Sequence, residues 1–268
     1  AGDDRHPGVF LMEVHSALML LIAGVAGGVL SAVVGGASLI LFPAMLAAGL
    51  PPIVAVASNT TAIIPGNFLA AMTDRSQLPA IDRGFMALLA VSLVAATGGA
   101  LLLMHTPERT FERLVPLLLG FGTLLFAYSA RVGAWLGRFS FRKSGATLHP
   151  KAVGLTMIVP VSMYGGYFGA GVGVLLIAAL SVANGGNYRA ANVAKNLVGS
   201  LNNVVAAAVF ASQGAISWIP MLLVATGGIG GGIVGAHIAR SLPVGAARGL
   251  VTGFGVLLTA IYAWRYWL

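Results

Sequence analysis

The chain has 268 residues, 58% of them hydrophobic and 8% charged, with no cysteine and a formal net charge of +8. A soluble domain carries charge on about a quarter of its residues, so a water-solvated single-core protein is excluded. The lack of cysteine excludes disulfides, thiolate chemistry and cysteine metal sites. The basic residues sit in breaks between apolar runs, where they read as topology signals and not as a nucleic-acid face.

In chain order, residues 1–14 form a polar N-terminal tail, left out of the functional argument because an N-terminal stretch of this kind can be an expression remnant. Apolar segments follow near 15–34, 37–50, 53–72, 84–104 and 113–134, forming a first membrane repeat over 15–134. A basic linker occupies 135–150, and segments near 151–168, 171–183, 188–211, 217–239 and 249–267 form a second membrane repeat over 151–268. All seven acidic residues (Asp3, Asp4, Glu13, Asp74, Asp82, Glu108 and Glu112) lie in the tail or in polar breaks. Helices of about 20 residues cross a hydrocarbon core of roughly 30 Å and satisfy their own backbone. Transmembrane barrel strands would alternate apolar and polar residues, and these runs are continuous. The expected fold is therefore an all-α integral membrane protein of about ten hydrophobic segments. The second and seventh are too short to span, and each follows a glycine cluster, Gly35-Gly36 or Gly169 to Gly173, so broken or re-entrant helices are expected there.

The halves echo one another in order. Gly27-Gly28 is matched by Gly165-Gly166, and Val56-Ala57-Ser58-Asn59 by Val193-Ala194-Lys195-Asn196. Leu114-Val115 is matched by Leu250-Val251, and Gly120 to Leu125 by Gly253 to Leu258, all at offsets of 133 to 138 residues. Matches in the same order at similar offsets indicate internal duplication, and five segments per half make the repeats inverted. Arg131, Arg138, Arg142, Lys143 and Lys151 lie in or beside the linker, and the odd count puts Arg75, Arg83, Arg189, Arg240 and Arg248 on the same side. Arg5, Arg109, Arg113 and Arg265 fall opposite. The positive-inside rule then places the linker in the cytoplasm and both termini outside.

Inverted repeats with paired discontinuous helices place substrate sites where helix ends meet near the midplane. The matched V-A-x-N motifs point to Asn59 and Asn196, with Ser58, Thr60, Thr61 and Asn67 in one half and Lys195, Asn202 and Asn203 in the other. The expected substrate-binding residues are Ser58, Asn59, Thr60, Lys195, Asn196, Asn202 and Asn203. A lysine inside an apolar segment costs roughly 2.5–3.5 kcal/mol on insertion scales, so it faces a cavity, a partner or the interface. With no carboxylate in any expected span, an anionic substrate is one partner, completed by amide and hydroxyl donors and by helix N-termini at the glycine breaks. Snorkelling of Lys195 to headgroups and asparagine packing between helices are the competing readings. Gly98-Gly99 and the run Gly227 to Gly232 read as small-residue packing faces, and His105 and His237 as interfacial residues. Pro43, Pro65, Pro160 and Pro220 are candidate kinks. Trp264, Tyr266 and Trp267 with Arg265 read as an interfacial anchor.

The duplicated glycine clusters, the Leu50-Pro51-Pro52 turn before Val56-Ala57-Ser58-Asn59, and the run from Gly165 to Val174 together resemble the sulfite exporter TauE/SafE family, also described as 4-toluene sulfonate uptake permeases. The resemblance covers the chain from about residue 16. It implies export, and in some members uptake, of sulfite, sulfoacetate or aromatic sulfonates. The resulting expectation is a bacterial inner-membrane secondary transporter that exports such an anion by alternating access, with the lipid bilayer as its solvent and no enzymatic activity, cofactor, metal or nucleic-acid partner. An anion channel, or an uptake permease for another small organic anion, is the alternative. The lack of acids in the spans speaks against a familiar acidic proton relay, while a coupling ion, sodium or proton, uniport and a homodimer stay open.

Overall fold

The computed structural model of the protein describes residues 14–33, 36–73, 75–78, 82–129, 131, 150–183, 188–238 and 244–267. The basic linker and the N-terminal tail, including Arg138, Arg142 and Lys143, lie outside the described residues. Helices joined by short connections make up the described residues, with no strand among them. Eleven α-helices are described: α1 (Val14–Val33), α2 (Ser38–Ala47), α3 (Pro52–Ala62), α4 (Ile64–Thr73), α5 (Arg83–His105), α6 (Glu108–Ala127), α7 (Pro150–Tyr167), α8 (Val172–Ala183), α9 (Tyr188–Ser212), α10 (Trp218–Ile238) and α11 (Val244–Trp267).

Among the described residues, six stretches are long and apolar enough to cross a membrane: α1, α3 with α4, α5, α6, α9 and α10. Large apolar side chains such as Val94, Leu117, Leu222, Leu250 and Val256 point outward, which a lipid solvent favours and water does not. The protein is a multi-pass membrane protein. At 10 and 12 residues, α2 and α8 rise only about 15 and 18 Å, roughly half of the hydrocarbon core, and neither can cross.

Three helix limits differ from the sequence expectation. The third segment divides at Ile63 into α3 and α4. Pro65 has no N–H for the Thr61 carbonyl and its ring crowds that carbonyl, so the chain makes one loose turn before Ile63 O accepts from Asn67 N at 3.1 Å. α6 begins at Glu108, and α11 at Val244, each five residues before the expected 113 and 249. The polar first turn of α6, Glu108 to Phe111, hides from a hydropathy reading, while α11 opens on Val244 to Ala247 ahead of Arg248. Pro107 flanks the start of α6, and Glu108 in the first turn suits the helix dipole.

Packing between the two halves is reciprocal. The first helix, α1, lies along α10, the fourth of the second half, while α7, the first of the second half, lies along α5. α6 and α11 pack against one another, as do α9 and the α3–α4 pair. Glycine makes the closest crossings. A Cβ built at Gly24 would stand 2.6 Å from Val224 O, and one at Gly28 would stand 2.7 Å from Gly232 N. In the other pair, a Cβ at Gly99 would meet Tyr167 N at 2.9 Å and one at Gly166 would meet Ala100 N at 3.1 Å. Van der Waals packing of close backbones is the main attraction available between helices in lipid. The packing role expected for Gly227 to Gly232 falls on Gly227 and Gly231, one turn apart, whereas Gly230 and Gly232 have open space at Cβ, as does Gly98. Gly227 and Gly231 share the face of α10 that meets α1, and the Cβ positions of Gly230 and Gly232 fall off it.

α6 and α11 run antiparallel: Thr123 meets Gly255, Thr259 meets Gly120, and Trp267 Nε1 donates to Arg113 O at 2.9 Å. α1 and α10 run parallel, Gly24 lying by Gly227 and Gly28 by Gly232.

Candidate functional site

The turn between α7 and α8 organises the polar interior. Gly169 and Gly171 take φ of +79° and +77°, the left-handed region that side chains avoid. Tyr164 Oη donates to Ala170 O at 2.7 Å, and the N–H groups of Val172 and Val174 bond back to Gly169 O and Gly171 O. The chain thereby reverses and begins α8 with its N-terminus among packed helices.

Sequence-predicted residues flank this turn on both sides. On one, a Cβ built at Gly169 would stand 4.0 Å from Thr60 Oγ1 of α3. On the other, a Cβ built at Gly173 would stand 3.6 Å from Lys195 Cδ of α9, so the lysine stem lies over the first turn of α8. Lys195 is half-buried and stands seven residues into α9, about 10 Å along its axis. No acidic residue occurs in α3, α7, α8 or α9. The lysine charge and the partial positive charge of a helix N-terminus therefore share one place, and the described neighbours supply no counter-charge from these helices.

Ser58, Asn59 and Thr60 are at most 2% exposed. Ser58 Oγ accepts from Ser217 N at 2.9 Å, which ties α3 to the start of α10. Asn59 Oδ1 is buried with no hydrogen-bond partner, while the hydroxyl of Thr61 is turned back onto Ala57 O at 2.8 Å. Asn196 and Asn203 are half-buried on α9.

Asn202 is committed elsewhere. Its Oδ1 accepts from Ser92 Oγ at 2.9 Å and its Nδ2 donates to Ser162 Oγ at 3.2 Å, while the two hydroxyls lie 2.8 Å apart. This closed triad joins α5, α7 and α9, with all three side chains buried. Sequence reading missed Ser92 and Ser162; a lone serine in an apolar run is the only signal they leave. His105 and His237 each pair a ring nitrogen with a carbonyl one turn back, Leu101 O at 2.8 Å and Ile233 O at 2.9 Å, and both are exposed at helix ends.

Two further features left little trace in sequence. A cavity of about 340 Å³ lies over the turn between α2 and α3, with Glu108 and Glu112 of α6 on one wall and Arg265 and Tyr266 of α11 on another. An aromatic cluster joins α2, α6 and the α7–α8 turn: the Phe42 and Phe168 rings meet edge to face at 5.1 Å, and Phe111 meets Tyr167 the same way at 5.7 Å.

A family model described as Sulfite exporter TauE/SafE matches residues 20–262. The chain is 27% identical to the "Probable membrane transporter protein ORF9" of Sinorhizobium sp., over 86% of this chain and 85% of the relative. It is 24% identical to a "Probable membrane transporter protein" of Haemophilus influenzae, over 90% of this chain and 92% of the relative. Identity to the "Probable membrane transporter protein YfcA" of Escherichia coli is 22%, over 91% and 86% of the two chains. No solved structure is significantly similar to it.

Proposed function

Since the chain belongs to the TauE/SafE sulfite exporter family of membrane transporters, we propose that it is a secondary transporter that exports a small sulfur-containing anion, sulfite or an organosulfonate such as sulfoacetate, across the bacterial inner membrane. The observation that carries the anion reading is the α7–α8 turn, with Lys195 laid over the first turn of α8 and Thr60 across from it. Two positive elements gathered inside a membrane protein, with no acid on the helices that form the site, are stabilised by a bound anion. Lys195 supplies the charge, Thr60 a hydroxyl, and Asn59 and Asn196 amide groups. Ser58 and Asn202 carry hydrogen bonds that hold the surrounding helices in place.

The reciprocal packing supports two inverted repeats that rock about this site to alternate access. In an inverted pair, equivalent helices such as α6 and α11 run antiparallel, and the first helix of each half runs parallel to the fourth of the other. The basic linker then lies in the cytoplasm and the termini in the periplasm. An inside-negative potential favours anion exit by about 2.3 kcal/mol per charge per 100 mV, so export requires no coupling ion.

The test is anion flux in proteoliposomes across sulfite, thiosulfate, sulfoacetate, sulfate, acetate and chloride. Saturable flux of a sulfur oxyanion or sulfonate, lost in Lys195→Ala while the variant still inserts and folds, is the expected result. Undiminished flux in Lys195→Ala would return Lys195 to a headgroup-seeking role. Non-saturating conductance would favour a channel.

A further inference from the structure

The outer cavity, the aromatic cluster and the α7–α8 turn lie in series. On α2, Leu46 lines the cavity, and Phe42 stands one turn away toward the turn-bearing interior, about 6 Å along the axis. On α6, Glu108 and Glu112 line the cavity, and Phe111 on the same face points into the core with 0% exposure. Phe168 meets both phenylalanines, at 5.1 Å from Phe42 and 6.4 Å from Phe111. The next residue is Gly169, across from Thr60. All three rings are at most 1% exposed. A charged solute in the cavity thus faces a layer of buried aromatic rings before Gly169 and Thr60, and a hydrophobic constriction of that kind stops ions by excluding water.

We propose that Phe42, Phe111 and Phe168 are the gate on the cavity side of the anion path, with the cavity at Glu108, Glu112 and Arg265 as the vestibule behind it. The inference rests on the transporter reading and adds the residues that close one end. Phe168 is the moving member: it lies in the glycine turn, which can rotate without displacing a transmembrane helix, while Phe42 and Phe111 are fixed in helices. In the described conformation the three rings are packed together, and the vestibule end is shut.

The native chain has no cysteine, so single cysteines report without background. Glu112→Cys marks the vestibule and Thr60→Cys the site beyond the gate, each in the full-length protein in proteoliposomes. A membrane-impermeant methanethiosulfonate reagent is added on the side from which Glu112→Cys reacts, and Glu112→Cys is expected to react at least ten-fold faster than Thr60→Cys. Adding Phe168→Ala, or Phe42→Ala, should raise the Thr60→Cys rate at least ten-fold. Equal rates with the gate intact, or a Thr60→Cys rate unmoved by either alanine in folded protein, would overturn the proposal. If the alanine variants do not fold, the pair Phe42→Cys and Phe168→Cys decides: its disulfide should stop flux and reduction restore it, and unchanged flux in the cross-linked protein would sink the gate. Should the unmodified protein carry no anion at all, the transporter reading fails, while the labelling contrast still decides whether the aromatic layer is a barrier.

Discussion

Gly230 and Gly231 are adjacent in α10, both in helix interior, and the same substitution at the two should act with opposite sign. A Cβ built at Gly231 would fall 2.7 Å from Val25 Cα and from its carbonyl carbon, whereas at Gly230 nothing lies within 4 Å. Alanine gains about 1 kcal/mol over glycine from helix propensity alone, and at Gly230 nothing opposes that gain. At Gly231 the obstacle is the backbone of α1, which cannot rotate aside as a side chain would, and overpacking of this kind costs about 1–3 kcal/mol. The upper end applies here, leaving Gly231→Ala net destabilised by about 2 kcal/mol. At about 2–4 °C per kcal/mol for a chain near this size, Gly230→Ala should rise by about 2–4 °C and Gly231→Ala fall by about 4–8 °C. The assay is reversible thermal unfolding of detergent-purified protein, followed by circular dichroism. A fall in both variants, or no difference between them, would refute the claim that α1 and α10 cross at Gly231.

The buried triad gives a smaller effect. Asn202→Leu removes two side-chain bonds and leaves the Ser92–Ser162 bond in place; at about 0.6 kcal/mol per interhelical bond in a membrane protein, the loss is about 1 kcal/mol. Double-mutant cycles with Ser162→Ala should show coupling of the same order, and strict additivity would count against the triad. For Ser58→Ala, the bond from Ser217 N is lost, which costs about 1 kcal/mol; hydrogen exchange at Ser217 should speed up while the substrate concentration for half-maximal flux stays within about two-fold. A large shift in that concentration would assign Ser58 to the ligand instead.

The split of the third segment, the glycine crossings and the polar site show how far local information reaches. Hydropathy and acid placement established a multi-pass helical membrane protein, because lipid imposes its demand on each segment separately. Proline chemistry at Pro65 and the shortness of α2 and α8 were likewise local. The ordered echo between halves pointed to the helices that carry Thr60 and Lys195. Sequence could not tell Asn202, locked to Ser92 and Ser162, from Asn59, whose Oδ1 has no partner, because a hydrogen bond depends on which distant helix arrives opposite. Nor could it separate Gly230 from Gly231: identical residues in one helix differ only in whether α1 lies against them. The aromatic layer over the α7–α8 turn is tertiary for the same reason, its three rings coming from α2, α6 and a turn that only the folded chain brings within contact.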